Sequence, residues 1–129
     1  MTAEAKLDKE FSLFIRLRAV NYSGYGNCFT CGKLIHYKDG HCGHFISRRH
    51  KATRWHEQNC ALQCIACNLF NQGRQFEFAR AIDKLWGGGT ADKLLALSRT
   101  VCKRGDFEFK EMAKYYQRQA KLKLAELKD

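Results

Sequence analysis

"CALQCIACN", residues 60–68, closes on a C-x-x-C pair, Cys64 and Cys67, and "CFTC" at 28–31 supplies a matching pair upstream. Two such pairs suit a tetrahedral four-thiolate zinc site made of Cys28, Cys31, Cys64 and Cys67. A two-residue gap lets both sulfurs of one turn face the same ion at about 2.3 Å. Zn²⁺ favours soft thiolates and brings no redox chemistry to disturb them. Four thiolates leave no open coordination position, so this zinc is expected to be structural, and any catalytic ion must sit elsewhere.

The seven cysteines are an odd number, which fits poorly with a fully disulfide-bonded framework. Cys42, Cys60 and Cys102 are left over and read as small core residues. Cys42 and Cys60 are also placed to face each other across a hairpin. The opening "MTAEAKLDKEF" lacks the basic-then-apolar order of a signal peptide. A cytosolic, reducing location is therefore expected, where spaced cysteine pairs bind metal more often than they form disulfides. No apolar run approaches the roughly 20 residues of a membrane span.

A chain of 129 residues argues for one domain with a modest core. Its net charge of +10, from 23 basic and 13 acidic residues, points to a polyanionic partner. Nucleic acid is the first expectation, an acidic protein or membrane surface the second, and plain solubility the bland alternative.

The apolar spacing of Leu7, Phe11, Phe14 and Ile15 predicts a helix over 3–20. "NYSGYGN" breaks it with turn-forming glycines and asparagines. Residues 28–68 read as irregular, with "HFIS" and "CALQC" short enough for strands. A helix is predicted from about Asn68 to Leu85, burying Phe76, Phe78 or Ile82, and "GGGT" ends it. Thr90 is a candidate cap for "ADKLLALSRTVCKR", with Asp92 in the first turn where the helix dipole favours an acid. Asp106 is a candidate cap for a last helix to about Leu127, carrying Phe109, Met112, Tyr116 and Leu122, that either projects or pairs with another helix. The fold class is α+β, mainly helical. Residues 1–88 are expected to form the core and 89–129 a helical extension for dimerisation or DNA binding.

Between the cysteine pairs lies "GHCGHFISRR", Gly40 to Arg49. Hydrolysing a phosphodiester needs a base to deprotonate water, and neutral imidazole does this near pH 7. It also needs a divalent cation to neutralise the phosphate and stabilise the leaving oxygen. His41, His44, Asn59 and Asn68 supply that minimal kit. Cationic Arg48, Arg49, Lys51 and Arg54 follow within a few residues and read as phosphate contacts, since guanidinium forks grip phosphate oxygens. Arg16, Arg18 and the lysines of the last helix widen the basic surface. Trp55 reads as a core anchor, Glu57 as solvated, and His36, His50 and His56 as surface or DNA-contact residues. Nothing reads as a base-specific recognition element, which favours backbone or shape recognition.

The order C-x-x-C, His44, Asn59, C-x-x-C, Asn68 resembles the HNH nucleases (ββα-metal, or His-Me finger) that carry a structural zinc in a treble-clef frame. "CIACN" is similar to the phage endonuclease VII group of Holliday-junction resolvases. "GHFISRRHKATRW" with Asn59, Gln63-Cys64 and Cys67-Asn68 is similar to the NinG/Rap family of lambdoid phage recombination nucleases, and the likeness covers residues 5–85, including "FSLFIRLR" at 11–18. The resemblance implies His44 as general base. It implies Asn59 as the residue that ties the loop and orients that base, and Asn68 as a ligand of catalytic Mg²⁺ or Mn²⁺. Most HNH motifs place an aspartate just before the base, where this chain has Gly43. His41 is the expected replacement ligand and Asp39 the reserve. Losing a carboxylate would favour Mn²⁺ over Mg²⁺, since imidazole suits softer ions.

The resemblance further implies a phage- or prophage-encoded endonuclease in the bacterial host cytoplasm, acting on branched DNA such as Holliday junctions and D-loops. Two cuts per junction make a homodimer mechanically sensible. A catalytically inactive zinc-stabilised DNA-binding module is the alternative, and a zinc-stabilised protein-interaction domain a third.

Overall fold

The computed structural model describes residues 1–128. Helix α1 spans Ala3–Arg18, and the Thr2 hydroxyl caps it by accepting the Ala5 N–H at 3.1 Å. Two antiparallel strand pairs follow: β1 (Tyr25–Asn27) with β2 (Leu34–His36), and β3 (His41–His44) with β4 (Cys60–Gln63). The short helix α2 (Lys51–Arg54) lies in the β3–β4 connection. A π-helical turn at Ala66–Phe70 and a 3₁₀ turn at Gln72–Arg74 lead into α3 (Gln75–Trp86), α4 (Thr90–Ser98) and α5 (Asp106–Ala125). The result is a small α+β protein, mostly helical. Among the described residues no helix is long and apolar enough to cross a membrane.

Several elements depart from the sequence expectation, each for a local reason. The strand expected at "HFIS" lies three residues earlier, at His41–His44. Beyond His44 the backbone of Ile46 is bonded to the Asn59 side chain rather than to a neighbouring strand. The helix expected from Asn68 begins only at Gln75, because the chain first makes the wide turn around Asn68. Gly73 then reverses direction with φ +80°, a conformation glycine adopts without a Cβ penalty. Thr90 is not a side-chain cap: its hydroxyl donates to the Gly87 carbonyl at 2.7 Å. The carboxylate of Asp83 instead accepts the Ala91 N–H at 2.9 Å. Helix α4 stops at Ser98, short of the expected Arg104. Gly105, not Asp106, is the cap of α5, and its N–H is held by Glu108 at 2.9 Å.

The core has its largest apolar cluster where α5 lies along α1. Leu7, Phe11 and Ile15 meet Phe109, Ala113 and Tyr116 there, with Trp55 and Cys60 closing the cluster from the β3–β4 side. Phe11 and Tyr116 stack edge to face at 4.9 Å, an arrangement the ring quadrupoles favour. Fully burying an aromatic of this size contributes about 1.5–3 kcal/mol. The last helix therefore pairs with the first rather than projecting. A second cluster packs Ile46, Ala61, Phe78, Ile82 and Leu94 on the other side. Of the three candidates on α3, Phe78 and Ile82 are buried and Phe76 is exposed.

Candidate functional site

The four cysteines of the two C-x-x-C pairs meet. The sulfurs of Cys28, Cys31, Cys64 and Cys67 all lie within 4.8 Å of one another, and Cys31 Sγ is 3.7 Å from Cys64 Sγ. The sharp turn that carries Cys28 and Cys31 joins β1 to β2, and the end of β4 brings Cys64 beside it. The backbone N–H of Cys64 donates to Cys28 Sγ at 3.3 Å. Burial pushes the Cys28 thiol up. The hydrogen bonds from Thr30 and from the N–H groups of Cys64, Cys31 and Thr30 outweigh it, bringing the group to about 6. At Cys31 the Lys33 N–H favours the thiolate, but burial and the three neighbouring sulfurs prevail and push it up to about 12. Such a cluster would ionise all four sulfurs together only around a bound cation. It could hold a structural zinc, and its donor set and spacing fit that ion.

The histidine pair lies at the other face of the same short chain. In β3, His44 pairs with Cys60 and His41 with Gln63 of β4. Alternation along a strand sends positions 41 and 44 to opposite sides. Both nevertheless line one open cleft of about 550 Å³, together with Asp39, Arg48, Asn68 and Asp8 of α1.

His44 Nε2 lies 2.9 Å from the Arg54 carbonyl oxygen. A carbonyl can only accept, so Nε2 carries the proton and Nδ1 is the basic nitrogen of the neutral ring. Burial holds His44 below the ordinary histidine value. The Arg54 carbonyl opposes the shift and the Arg48 charge adds to it. The ring is thus neutral, oriented and able to take a proton near neutral pH.

Its orientation depends on Asn59, which is fully buried. The Asn59 Oδ1 accepts the Ile46 N–H at 2.8 Å. Its Nδ2 donates to the carbonyls of Ile46 at 3.1 Å and Thr53 at 3.0 Å. One amide thereby fixes both ends of the loop that presents the Arg54 carbonyl to His44.

Asn68 and His41 are in contact, with Asn68 Nδ2 2.9 Å from His41 Nδ1. The π-helical turn, not a helix start, positions Asn68. Neither His41 nor Asp39 belongs to a compact group of three or more His, Cys, Asp or Glu ligand atoms among the described residues. The second such group is Cys42, His44 and Cys60. Cys60 is buried in the α1–α5 core, and burial pushes its thiol well up, so it behaves as a packing residue.

The basic stretch is less free than its sequence suggests. Arg54 donates to Asp8 through Nε at 3.1 Å and through Nη2, and its Nη1 lies 3.6 Å from Glu4. Its guanidinium is spent inside the fold. Trp55 Nε1 donates to the same Asp8 at 2.8 Å. Arg48 reaches Asp8 and Lys51 reaches Glu4, each at 2.9 Å, but both side chains remain at least half exposed. Arg49 has no side-chain partner among the described residues. Arg16 and Arg18 also correct the expectation of a basic surface. Arg16 Nη1 donates to the Tyr37 carbonyl at 2.7 Å. Arg18 Nη2 binds the carbonyls of Glu57 at 2.7 Å and Cys60 at 2.8 Å. Glu57, expected in solvent, accepts from Tyr116 Oη at 2.9 Å and faces Arg18.

Sequence reasoning missed Asp8, whose partners lie some forty residues on, and gave Gln63 a place in the resemblance but no role. Gln63 is fully buried, and its Nε2 donates to Thr30 Oγ1 and the Gly73 carbonyl, each at 3.0 Å. Its Oε1 is buried without a hydrogen-bond partner among the described residues. A Cβ at Gly43 would lie 1.9 Å from that oxygen. Gln63 therefore fills the space an aspartate at 43 would need.

The fold and site define a small α+β protein with a four-thiol knuckle and a separate, histidine-lined cleft. Residues 2–127 match the family model described as NinG: Bacteriophage Lambda NinG protein. The chain belongs to this NinG family. No curated protein and no solved structure matches it.

Proposed function

We propose that the protein is a metal-dependent, structure-selective DNA endonuclease of the HNH (ββα-metal) type, cutting branched DNA during phage recombination. The observation that carries this reading is the His44 imidazole. Its Nε2–H is committed to the Arg54 carbonyl, and it faces a cleft shared with the His41–Asn68 pair. In this reading His44 Nδ1 takes a proton from the attacking water, while Asn59 holds the loop that orients the ring. His41 and Asn68 would hold a divalent ion, which when bound neutralises phosphate charge. The β3–β4 pair followed by the Asn68 turn and α3 corresponds to the ββα unit, and the four-thiol knuckle to its treble-clef support. Membership in the NinG family supports a recombination-related role in phage. A net charge of +10 supports a DNA partner, with Lys9, Lys38 and Arg48 lining the cleft and Arg49 and Lys51 following Arg48 in sequence.

A second reading, a non-cutting zinc-stabilised DNA-binding module, draws on Gly43 in place of the aspartate. One experiment separates the two. A labelled four-way junction and a linear duplex are incubated with Mn²⁺ or Mg²⁺ and either wild type or His44→Ala. The nuclease reading expects junction cleavage by wild type alone, with DNA binding equal in both. Tight binding without cleavage in either metal supports the binding module.

A further inference from the structure

We propose that Cys42, His44 and Cys60 form a second site for a soft divalent ion, Zn²⁺ by preference, and that zinc held there takes the imidazole of the cleft out of use. The binding site stands apart from the nuclease reading; only its effect on cutting rests on that reading.

The fold brings these three donors to one place. One ligand atom from each, two sulfurs and a ring nitrogen, all lie within 4.8 Å of one another. The β3–β4 register explains this. His44 faces Cys60 directly across the ladder, and Cys42, two residues before His44, shares its face. Cys42 and Cys60 are diagonal neighbours, whose Cα atoms in such ladders are about 7–8 Å apart. A disulfide spans Cα atoms only up to about 6.8 Å. A zinc ion, bonded at about 2.3 Å to sulfur and about 2.0–2.1 Å to nitrogen, bridges that gap instead.

The surroundings suit a metal-bound histidine. Such a histidine usually donates its other ring N–H to a carboxylate or a backbone carbonyl, which fixes the ring. His44 Nε2 is already held by the Arg54 carbonyl at 2.9 Å, which leaves Nδ1 for an ion. The Cys60 thiol donates to the same carbonyl at 3.8 Å, so one backbone group orients two of the donors. Cys42 and His44 line the open cleft and give an ion a way in, while Cys60 closes the site from the core. Three protein donors leave one tetrahedral position for water.

Two thiolates and an imidazole select zinc over Mg²⁺ and Mn²⁺, which prefer oxygen. Without metal, burial keeps Cys60 a protonated packing thiol. On binding, Zn²⁺ replaces the two thiol protons, which pass to solvent, and the two thiolates neutralise the dication. The Nδ1 lone pair then belongs to zinc and cannot take a proton from water.

The test uses full-length protein carrying one zinc in the four-thiol knuckle, with a second equivalent of Zn²⁺ titrated by calorimetry. Wild type is expected to bind it. Cys42→Ala and His44→Ala should each weaken that step by more than the about 10–100-fold that losing an outer partner of a metal ligand costs, with the first zinc retained. Absence of a second zinc in wild type, or affinity unchanged in both variants, overturns the site. Supplied as Co²⁺, the second equivalent should give a thiolate-to-cobalt charge-transfer band that Cys42→Ala lacks. A band that persists in Cys42→Ala comes from exchange at the knuckle and counts against the site. Retained knuckle zinc and an unchanged circular dichroism spectrum show that each variant is folded, and the wild-type titration and spectrum decide the matter if neither is. In junction cleavage with Mn²⁺, the second zinc should stop wild type and spare Cys42→Ala, which cuts as wild type does without it. Equal inhibition of both proteins, or none, overturns the inhibitory role. If wild type binds the second zinc but cuts nothing in Mn²⁺ or Mg²⁺, the nuclease reading falls and the site stands. If it cuts but binds no second zinc, the reading stands and the site falls.

Discussion

The cysteine knuckle and the histidine cleft share the chain from Cys28 to Asn68, but one is held by its own ligands and the other by the rest of the protein. The knuckle needs two turns and the end of one strand, and its four sulfurs lie within 4.8 Å of each other. The cleft draws His41 and His44 from β3, Asn68 from a π-helical turn and Asp8 from α1, while buried Asn59, just before β4, braces the loop behind it. A site made of soft ligands carries its own assembly energy once metal arrives. A site made of neutral polar groups depends on packing to hold it. Perturbing the two should therefore give different losses: fold in the first case, chemistry or local order in the second.

The largest effect is expected at the knuckle. Structural zinc contributes roughly 10–16 kcal/mol in small zinc peptides, as much as the whole stability of a typical domain, about 5–15 kcal/mol. Cys64→Ser, or removal of zinc by a strong chelator, should abolish cooperative thermal unfolding and near-ultraviolet dichroism. A chelated protein that keeps its wild-type transition would show that the knuckle is only packed thiols and break the contrast.

At the cleft, His44→Ala should leave stability within about 1 kcal/mol, the scale of one part-buried hydrogen bond. Single-turnover cleavage of a junction should fall by about 10²–10⁴-fold, the usual contribution of a positioned general base. The pH profile adds a sign. In the nuclease reading the neutral imidazole is the active form, and burial lowers its pKa. Activity should be full above the ordinary histidine value of about 6.5 and fail only below it, as pH falls through the depressed folded value. A rising limb centred above 6.5 would assign the base elsewhere.

Asn59→Ala tests the support rather than the chemistry. It strands the Ile46 N–H and two carbonyls in the interior, at about 1–3 kcal/mol for each unsatisfied group if none relaxes. A net loss of about 3 kcal/mol in urea unfolding is expected, with zinc still bound. A loss below about 0.5 kcal/mol would mean the loop is held by something other than this amide.

The same contrast explains what could be read in the sequence. The knuckle was legible because its information is local: two C-x-x-C spacings say where the sulfurs point. Helices α1 and α5 were legible for a related reason, since Leu7, Phe11, Ile15 and Phe109, Met112, Tyr116 repeat at helical spacing and pack in the core, while Leu122 of the same reading is exposed. Strand β3 was placed three residues late, because "HCGH" has no apolar alternation and is held as a strand by pairing with β4. The wide turn at Asn68 was hidden, since its shape is set by Gly73 and the Gln63 bond to it. Arg16, Arg18 and Arg54 looked like surface charge because their partners are backbone carbonyls or acids twenty or more residues away.

Asp8 offers the smallest and sharpest test of how the cleft is braced. Burial pushes its carboxyl up, but the Arg54 hydrogen bond and charge, with Arg48 and Trp55, outweigh this and leave it below the ordinary aspartate value. A carboxylate so depressed adds stability above its unfolded pKa of about 3.9, and that stability is lost as pH falls through the folded value. Asp8→Asn removes the charge and keeps the shape. The side chain is about one-fifth exposed, so solvent screening limits the cost, and about 1 kcal/mol is expected at neutral pH. The same change releases Arg48 from its anion at the mouth of the cleft and leaves Arg54 with Glu4 alone. Junction DNA should then bind more tightly at low salt, and the salt dependence of log K should steepen by about one unit for each guanidinium that reaches a phosphate. Lost stability with gained DNA affinity would place Asp8 as a brace that holds its arginines back from phosphate. Lost stability with an unchanged salt slope would leave these arginines as parts of the scaffold.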